Sequence, residues 1–90
     1  MAAKLVTKNA TATVTEASYE LLADAIKFIA NDDTTNDLYI SLNGSIADGN
    51  DYMIVKAGET FSNFDEVPSH TIYYKASAST VAFRVVGIQI

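Results

Sequence analysis

The stretch that decides the fold is Leu38-Tyr39-Ile40-Ser41-Leu42-Asn43-Gly44. Leu38, Ile40 and Leu42 fall on one side of an extended chain, Tyr39 and Ser41 on the other. That is the period-two pattern of a strand with one buried face. Asn43-Gly44 closes it with the dipeptide best suited to a two-residue hairpin turn. Just upstream, Asn31-Asp32-Asp33-Thr34-Thr35-Asn36-Asp37 is a polar loop of turn formers.

Working outward, strand-like patterns continue in both directions. Ile26-Lys27-Phe28-Ile29-Ala30 reads as a strand with Ile26 and Phe28 facing one way. Thr11, Thr13 and Thr15 alternate with Ala12 and Val14, and residues 18–21 read as a short strand with Tyr19 and Leu21 on one face. A helix over residues 18–30 is the competing reading, with Ser18 as its cap and Glu20, Leu21, Leu22, Ala23 and Ala25 as formers. The alternation on either side favours strands.

Downstream, residues 45–51 form a polar loop centred on Asp48-Gly49-Asn50-Asp51. Tyr52-Met53-Ile54-Val55 is a strand and Thr60-Phe61-Ser62 its return. Lys56-Ala57-Gly58-Glu59 between them is a tight turn in which Gly58 supplies a positive φ. A loop with the single Pro68 follows; then Ile72 and Tyr74 alternate with Tyr73 and Lys75. Ser77-Ala78-Ser79 turns the chain into a last strand over 80–90. There Val81, Phe83 and Val85 share a face, while Ile88 and Ile90 fall out of phase. One extra residue would restore them to the core side, which predicts a β-bulge or kink at Gly87.

Between six and nine short strands at spacings near ten residues indicate an all-β fold. The expected architecture is a small antiparallel β-sandwich, jelly-roll-like or a partly open barrel. The expected core is Val14, Leu21, Ile26, Phe28, Leu38, Ile40, Leu42, Ile54, Phe61, Ile72, Tyr74, Val81, Phe83 and Val85. Residues 1–10 read as an N-terminal arm or an edge strand, and 11–90 as a single domain without repeat or linker.

Composition narrows the function classes. A chain of 90 residues is one domain, with about 60–65% of its unfolded surface buried, and is marginal as a free monomer. Apolar residues at 49% against 19% charged describe a folding chain. With no cysteine, neither disulfides nor thiolate metal sites supplement the core. Six basic against eleven acidic residues give a net charge of −5, which disfavours nucleic acid and anionic membrane as partners. The N-terminal residues lack the apolar run of a signal peptide, and nothing approaches the ~20 apolar residues that span a bilayer. The expectation is a chain made in a cytoplasm without an export signal.

No pattern proves a chemistry. Asp32, Asp33, Asn36 and Asp37 offer oxygens of the kind calcium takes, but not the spacing of a calcium loop; they read first as solvated turn formers. Asp48 and Asp51 read the same way. His70 is the only histidine, and Ser69 beside it would point to the opposite face of a strand. Glu16, Glu20, Glu59 and Glu66 have no deep cleft in a domain this small to work across. The expectation is therefore no enzyme, no cofactor and no metal. Asn9-Ala10-Thr11 and Asn43-Gly44-Ser45 match a glycosylation sequon that carries no weight without secretion.

The tyrosines are more informative. Tyr39 and Tyr73 fall on the outward faces of their strands. They serve cross-strand packing, a protein interface or a glycan contact, and all three readings stand. Lys4, Leu5 and Val6 are apolar enough to pair, either within their own sheet or with a neighbouring subunit.

Over about residues 11–88 the chain resembles small virion proteins of tailed bacteriophages. The likeness rests on the apolar strand closing on Asn31, the Leu38 to Gly44 stretch quoted above, Lys56-Ala57-Gly58-Glu59-Thr60-Phe61, and Ile72-Tyr73-Tyr74-Lys75-Ala76-Ser77 feeding a Val-rich last strand. The resemblance implies a non-enzymatic β-sandwich on a phage head or tail, and it brings no active-site residues. The resulting expectation is a capsid decoration or accessory protein, located in the virion. It would bind other virion proteins and itself, as a symmetric oligomer, through sheet edges, the N-terminal residues Lys4, Leu5 and Val6, and the tyrosines Tyr39 and Tyr73. A tail or fibre module binding host-surface glycans is the alternative.

Overall fold

Alternating β-branched and aromatic residues place eight strands among the residues that the structure, a computed structural model, describes: 4–20, 25–42, 44–62 and 71–89. They are β1 (Lys4–Thr13), β2 (Ala17–Glu20), β3 (Ala25–Asn31), β4 (Leu38–Ser41), β5 (Met53–Val55), β6 (Thr60–Ser62), β7 (Thr71–Ala76) and β8 (Thr80–Gln89). The one helical piece among the described residues is a 3₁₀ turn at Ile46–Asp48. Residues 25–30, where a helix competed with a strand, lie in β3, and Ala17–Glu20 is a strand as well.

The strands form two antiparallel sheets of four, in the orders β1-β8-β3-β6 and β2-β7-β4-β5. Strand 1 thus pairs with 8, 2 with 7, 3 with 6 and 4 with 5. This is a long hairpin folded in half and rolled so that its two legs alternate between layers, the jelly-roll arrangement of a sandwich. It is two open sheets rather than a closed barrel. Direct partners lie on the same face of a sheet. One interior face therefore carries Ala12, Val81, Phe83, Val85, Ile26 and Ile29, and the other Ile72, Ala76, Leu38, Ile40 and Val55. Tyr74 and Phe83 join the layers, ring centroids 4.8 Å apart and tilted by 60°.

Several expectations need correction. The register irregularity is not an extra residue at Gly87, because β8 pairs with β1 without interruption from Thr80 to Gln89. It lies on the other neighbour, β3, where the pairing slips between Ile26 and Phe28 opposite Gly87 and Val86. Lys27 is the extra residue. The bulge flips the phase of β3, so Ile29 joins Ile26 in the core and Phe28 turns to the outer face with Val86. Ile88 accordingly stays out of phase with Val81, Phe83 and Val85, paired with Leu5 on the outer face.

Ile54, expected inside, is 47% exposed, and Met53 and Val55 face the core instead. Four consecutive apolar residues carry no phase of their own. Pairing of Leu38 with Val55 and Ile40 with Met53 sets it. Phe61 pairs with Ile29 on the interior side of its sheet, yet three-residue β6 is the margin of that layer and leaves the ring 44% exposed. Val14 is 59% exposed in the bend between β1 and β2, past the last pair of the ladder. Of the residues read as an arm or an edge strand, 4–10 belong to edge strand β1, whose ladder runs unbroken from Lys4 to Thr13. Leu21, Asn43, Ile90 and residues 63–70, with Pro68 and His70, lie outside the described residues.

Candidate interaction surface

The turns that begin and end the strands decide which face is presented. Asn31, buried at the end of β3, ties the loop that follows it to the end of β5. Its side-chain amide donates to the carbonyls of Asn36 and Val55, each at 3.0 Å, and its Oδ1 accepts the Asp33 N–H at 2.8 Å. Asp33 in turn accepts the N–H groups of Asn36 and Thr35, bonds that hold its carboxyl below the usual carboxylate range. Asp37 accepts from the Ala57 N–H and lies 3.7 Å from the Lys56 ammonium. Asp32 receives two bonds from the Arg84 guanidinium, at 2.8 and 3.0 Å, which raise the arginine's pKa. The acidic loop that resembled a cation site is thus a set of turn formers, each carboxylate engaged with backbone or a cation. Among the described residues no three of His, Cys, Asp or Glu are grouped to hold a metal ion.

A second tie shapes the outer face of sheet β2-β7-β4-β5. Glu16 precedes edge strand β2, yet its carboxylate accepts from the Ser45 hydroxyl and the Ile46 N–H, both at 2.6 Å, and from the Ala47 N–H. The Ser45 hydroxyl, the two backbone groups and the Lys75 charge lower its pKa against some desolvation. The segment after β4 is thereby drawn toward β2, on the far side of β7. Ser41, on the outer face of β4, donates to the Gly44 carbonyl at 2.7 Å and is buried. One part of the outer face of sheet β2-β7-β4-β5 is therefore covered by the chain itself.

The rest of that face is open. Tyr39 lies between Lys75 and Ile54, its direct partners on β7 and β5. Tyr52 packs on Tyr39 with ring centroids 5.2 Å apart and a tilt of 47°, and the Lys75 Nζ stands 5.9 Å from the Tyr39 centroid. Tyr73, opposite Ser41 and Ser18, shares the face one diagonal step away. The result is a platform of two tyrosines and an isoleucine with a cation at its margin. Its backbone is held in strands at Tyr39, Ile54 and Lys75, so covering it costs little further backbone entropy.

The sequence-derived residues divide between two surfaces. Tyr39 and Tyr73 do lie together on an outer face, each half-buried. Leu5, 67% exposed, is on the outer face of the other sheet, paired with Ile88. Val6 turns inward opposite Gly87 and packs, partly buried, against the core, on the face away from Leu5. The backbone of Lys4 pairs with Gln89, and its side chain lies outside what is described. Sequence reading missed Ile54 as a surface residue, and Glu16 and Asn31 as organisers of the loops. The only local signal for Ile54 was its equal spacing from Met53 and Val55; the partners of Glu16 are 29 to 31 residues away. Family models, curated proteins and solved structures were all compared with the chain, and none matches.

Proposed function

We propose that this chain is a non-enzymatic structural protein of a tailed phage virion, a decoration or accessory subunit that adheres to other virion proteins, most directly the capsid. The platform of Tyr39, Tyr52 and Ile54 is the observation that carries the reading. Tyr39 and Ile54 stand on strands with Tyr52 packed beside them, and part-exposed aromatic and aliphatic side chains of this kind are the anchors that dominate protein interfaces. The resemblance over residues 11–88 supplies the virion setting, and the jelly roll is compatible with it, since capsid domains use that architecture. Fold alone does not assign function. Adhesion here means burial of the platform and exclusion of water around it, with Lys75 meeting an acidic group at its rim; no bond is made or broken.

Mass spectrometry and imaging of purified particles test the proposal. Many symmetric copies on the shell are expected, and absence of the chain from virions refutes it. The tilted Tyr39–Tyr52 pair also favours a second reading, a tail or fibre module that stacks on host glycans. Saturable sugar binding lost in Tyr39→Ala or Tyr73→Ala would replace the first reading with the second. A blank glycan panel counts against the second.

A further inference from the structure

The four sheet edges of this protein are not alike. Edge strands β2, β5 and β6 are four, three and three residues long, and short edges are one of the ways proteins avoid pairing with other chains. Edge strand β1 is ten residues long. It contains no proline, and its ladder with β8 has no bulge. Because partners in an antiparallel ladder alternate between bonded and non-bonded pairs, about half of its residues aim their N–H and C=O groups away from β8. Among the described residues no strand receives them.

Charge protects this edge only in part. The outward side chains of β1 are Leu5, Thr7, Asn9, Thr11 and Thr13, all exposed and all uncharged. Lys8 points inward, a placement that itself discourages pairing in registers that bring it against a like charge, and its Nζ lies 4.6 Å from the centre of the Tyr19 ring. Long, regular and uncharged on its outward face, β1 is the least blunted of the four edges.

We propose that β1 is the dimer seam of this protein: a second copy pairs with it antiparallel about a two-fold axis, joining two four-stranded sheets into one of eight. The sequence selects the register. Matching of outer with outer faces requires the numbers of opposed residues to sum to an even value. A sum of 16 sets Lys8 against its own copy, a like-charge pair that destabilises a ladder. A sum of 18 puts Asn9 on the axis, Thr7 opposite Thr11, Leu5 opposite Thr13, and Lys8 opposite Ala10. It pairs residues 5–13 without opposing like charges, and a sum of 20 shortens the ladder to 7–13. The seam lies on the sheet that does not carry the tyrosine platform, so the inference needs nothing from the virion reading and survives its failure.

Sedimentation velocity on the full chain tests it together with three variants. The unmodified protein is expected to be dimeric at micromolar concentration. Thr7→Lys/Thr11→Lys opposes two pairs of lysines across the axis and is expected to raise the dissociation constant about tenfold. Thr7→Lys/Thr11→Glu makes the same two pairs complementary and restores association. Asn9→Cys, the sole thiol in the chain, is expected to oxidise to a covalent dimer, since directly opposed residues have the Cα separation of a disulfide. Circular dichroism on each variant verifies the fold. A protein that stays monomeric at hundreds of micromolar overturns the proposal. So does a dimer indifferent to both double variants and to the cysteine, because its interface lies elsewhere.

Discussion

Replacing Asn31 by alanine tests how the loops of one end are held. The side chain is 2% exposed and makes three hydrogen bonds: to the carbonyls of Asn36 and Val55 and from the Asp33 N–H. Each is worth about 1 kcal/mol net, and a buried partner left without a bond costs more than that. The sum is about 3–4 kcal/mol, out of a total for this length on the order of 5–13 kcal/mol. The melting temperature should then fall by about 10–25 °C. Urea titration followed by far-ultraviolet circular dichroism reads the effect as a lower midpoint at unchanged slope. Asn31→Asp retains the acceptor, loses both donors and turns a carboxylate toward two carbonyls, so at pH 7 it should cost no less than alanine. Thr34→Ala, exposed in the same loop, should stay within about 0.5 kcal/mol. An Asn31→Ala protein within about 0.5 kcal/mol of the parent would refute the role of this amide in holding the loop after β3 to the end of β5.

Other outcomes follow from single positions. Ile29→Ala should cost about 2–5 kcal/mol because its side chain is fully buried, whereas Ile54→Ala, on the outer face, should cost under about 1 kcal/mol; equal losses in chemical denaturation would mean the phase of β5 is wrong. Gly58 has φ of +76° with nothing within 4 Å of a Cβ built there, so Gly58→Ala should lose about 1 kcal/mol from backbone strain alone. The Glu16 carboxyl is held below its ordinary value of 4.5, so its contribution to stability is complete above that pH and is lost as pH falls through the depressed folded value. Acid titrations of Glu16→Gln should accordingly show a shallower loss below about pH 4.5 than the parent, and superimposable curves would remove Glu16 from the account.

Much of the fold was legible because period-two patterning is a local property. Leu38 and Ile40 against Tyr39, Ile72 and Tyr74 against Tyr73 and Lys75, and Val81, Phe83 and Val85 all take the faces their alternation gives them. So does the turn at Gly58, whose positive φ is a matter of one residue's sterics. From this came the class of fold, the outward direction of Tyr39 and Tyr73, and the acidic loop as a run of turn formers.

Other features had to wait for the tertiary structure, because they depend on what lies opposite. The out-of-phase end of β8 pointed to a bulge at Gly87 that its ladder with β1 does not contain, whereas Lys27, the extra residue of β3, showed only in the pairing of β3 with β8. The uniform run from Tyr52 to Val55 had no preferred face until Leu38 and Ile40 supplied one. Asn31 and Glu16 looked like ordinary polar residues, and their partners come together only when the hairpin rolls into two layers. Which edges stay short and which one stays long was settled in the same way, since an edge exists only once its neighbours have been placed. The chain's own alternation determined that it forms β-sheets with one buried face; long-range pairing decided which apolar side chains that face leaves in water.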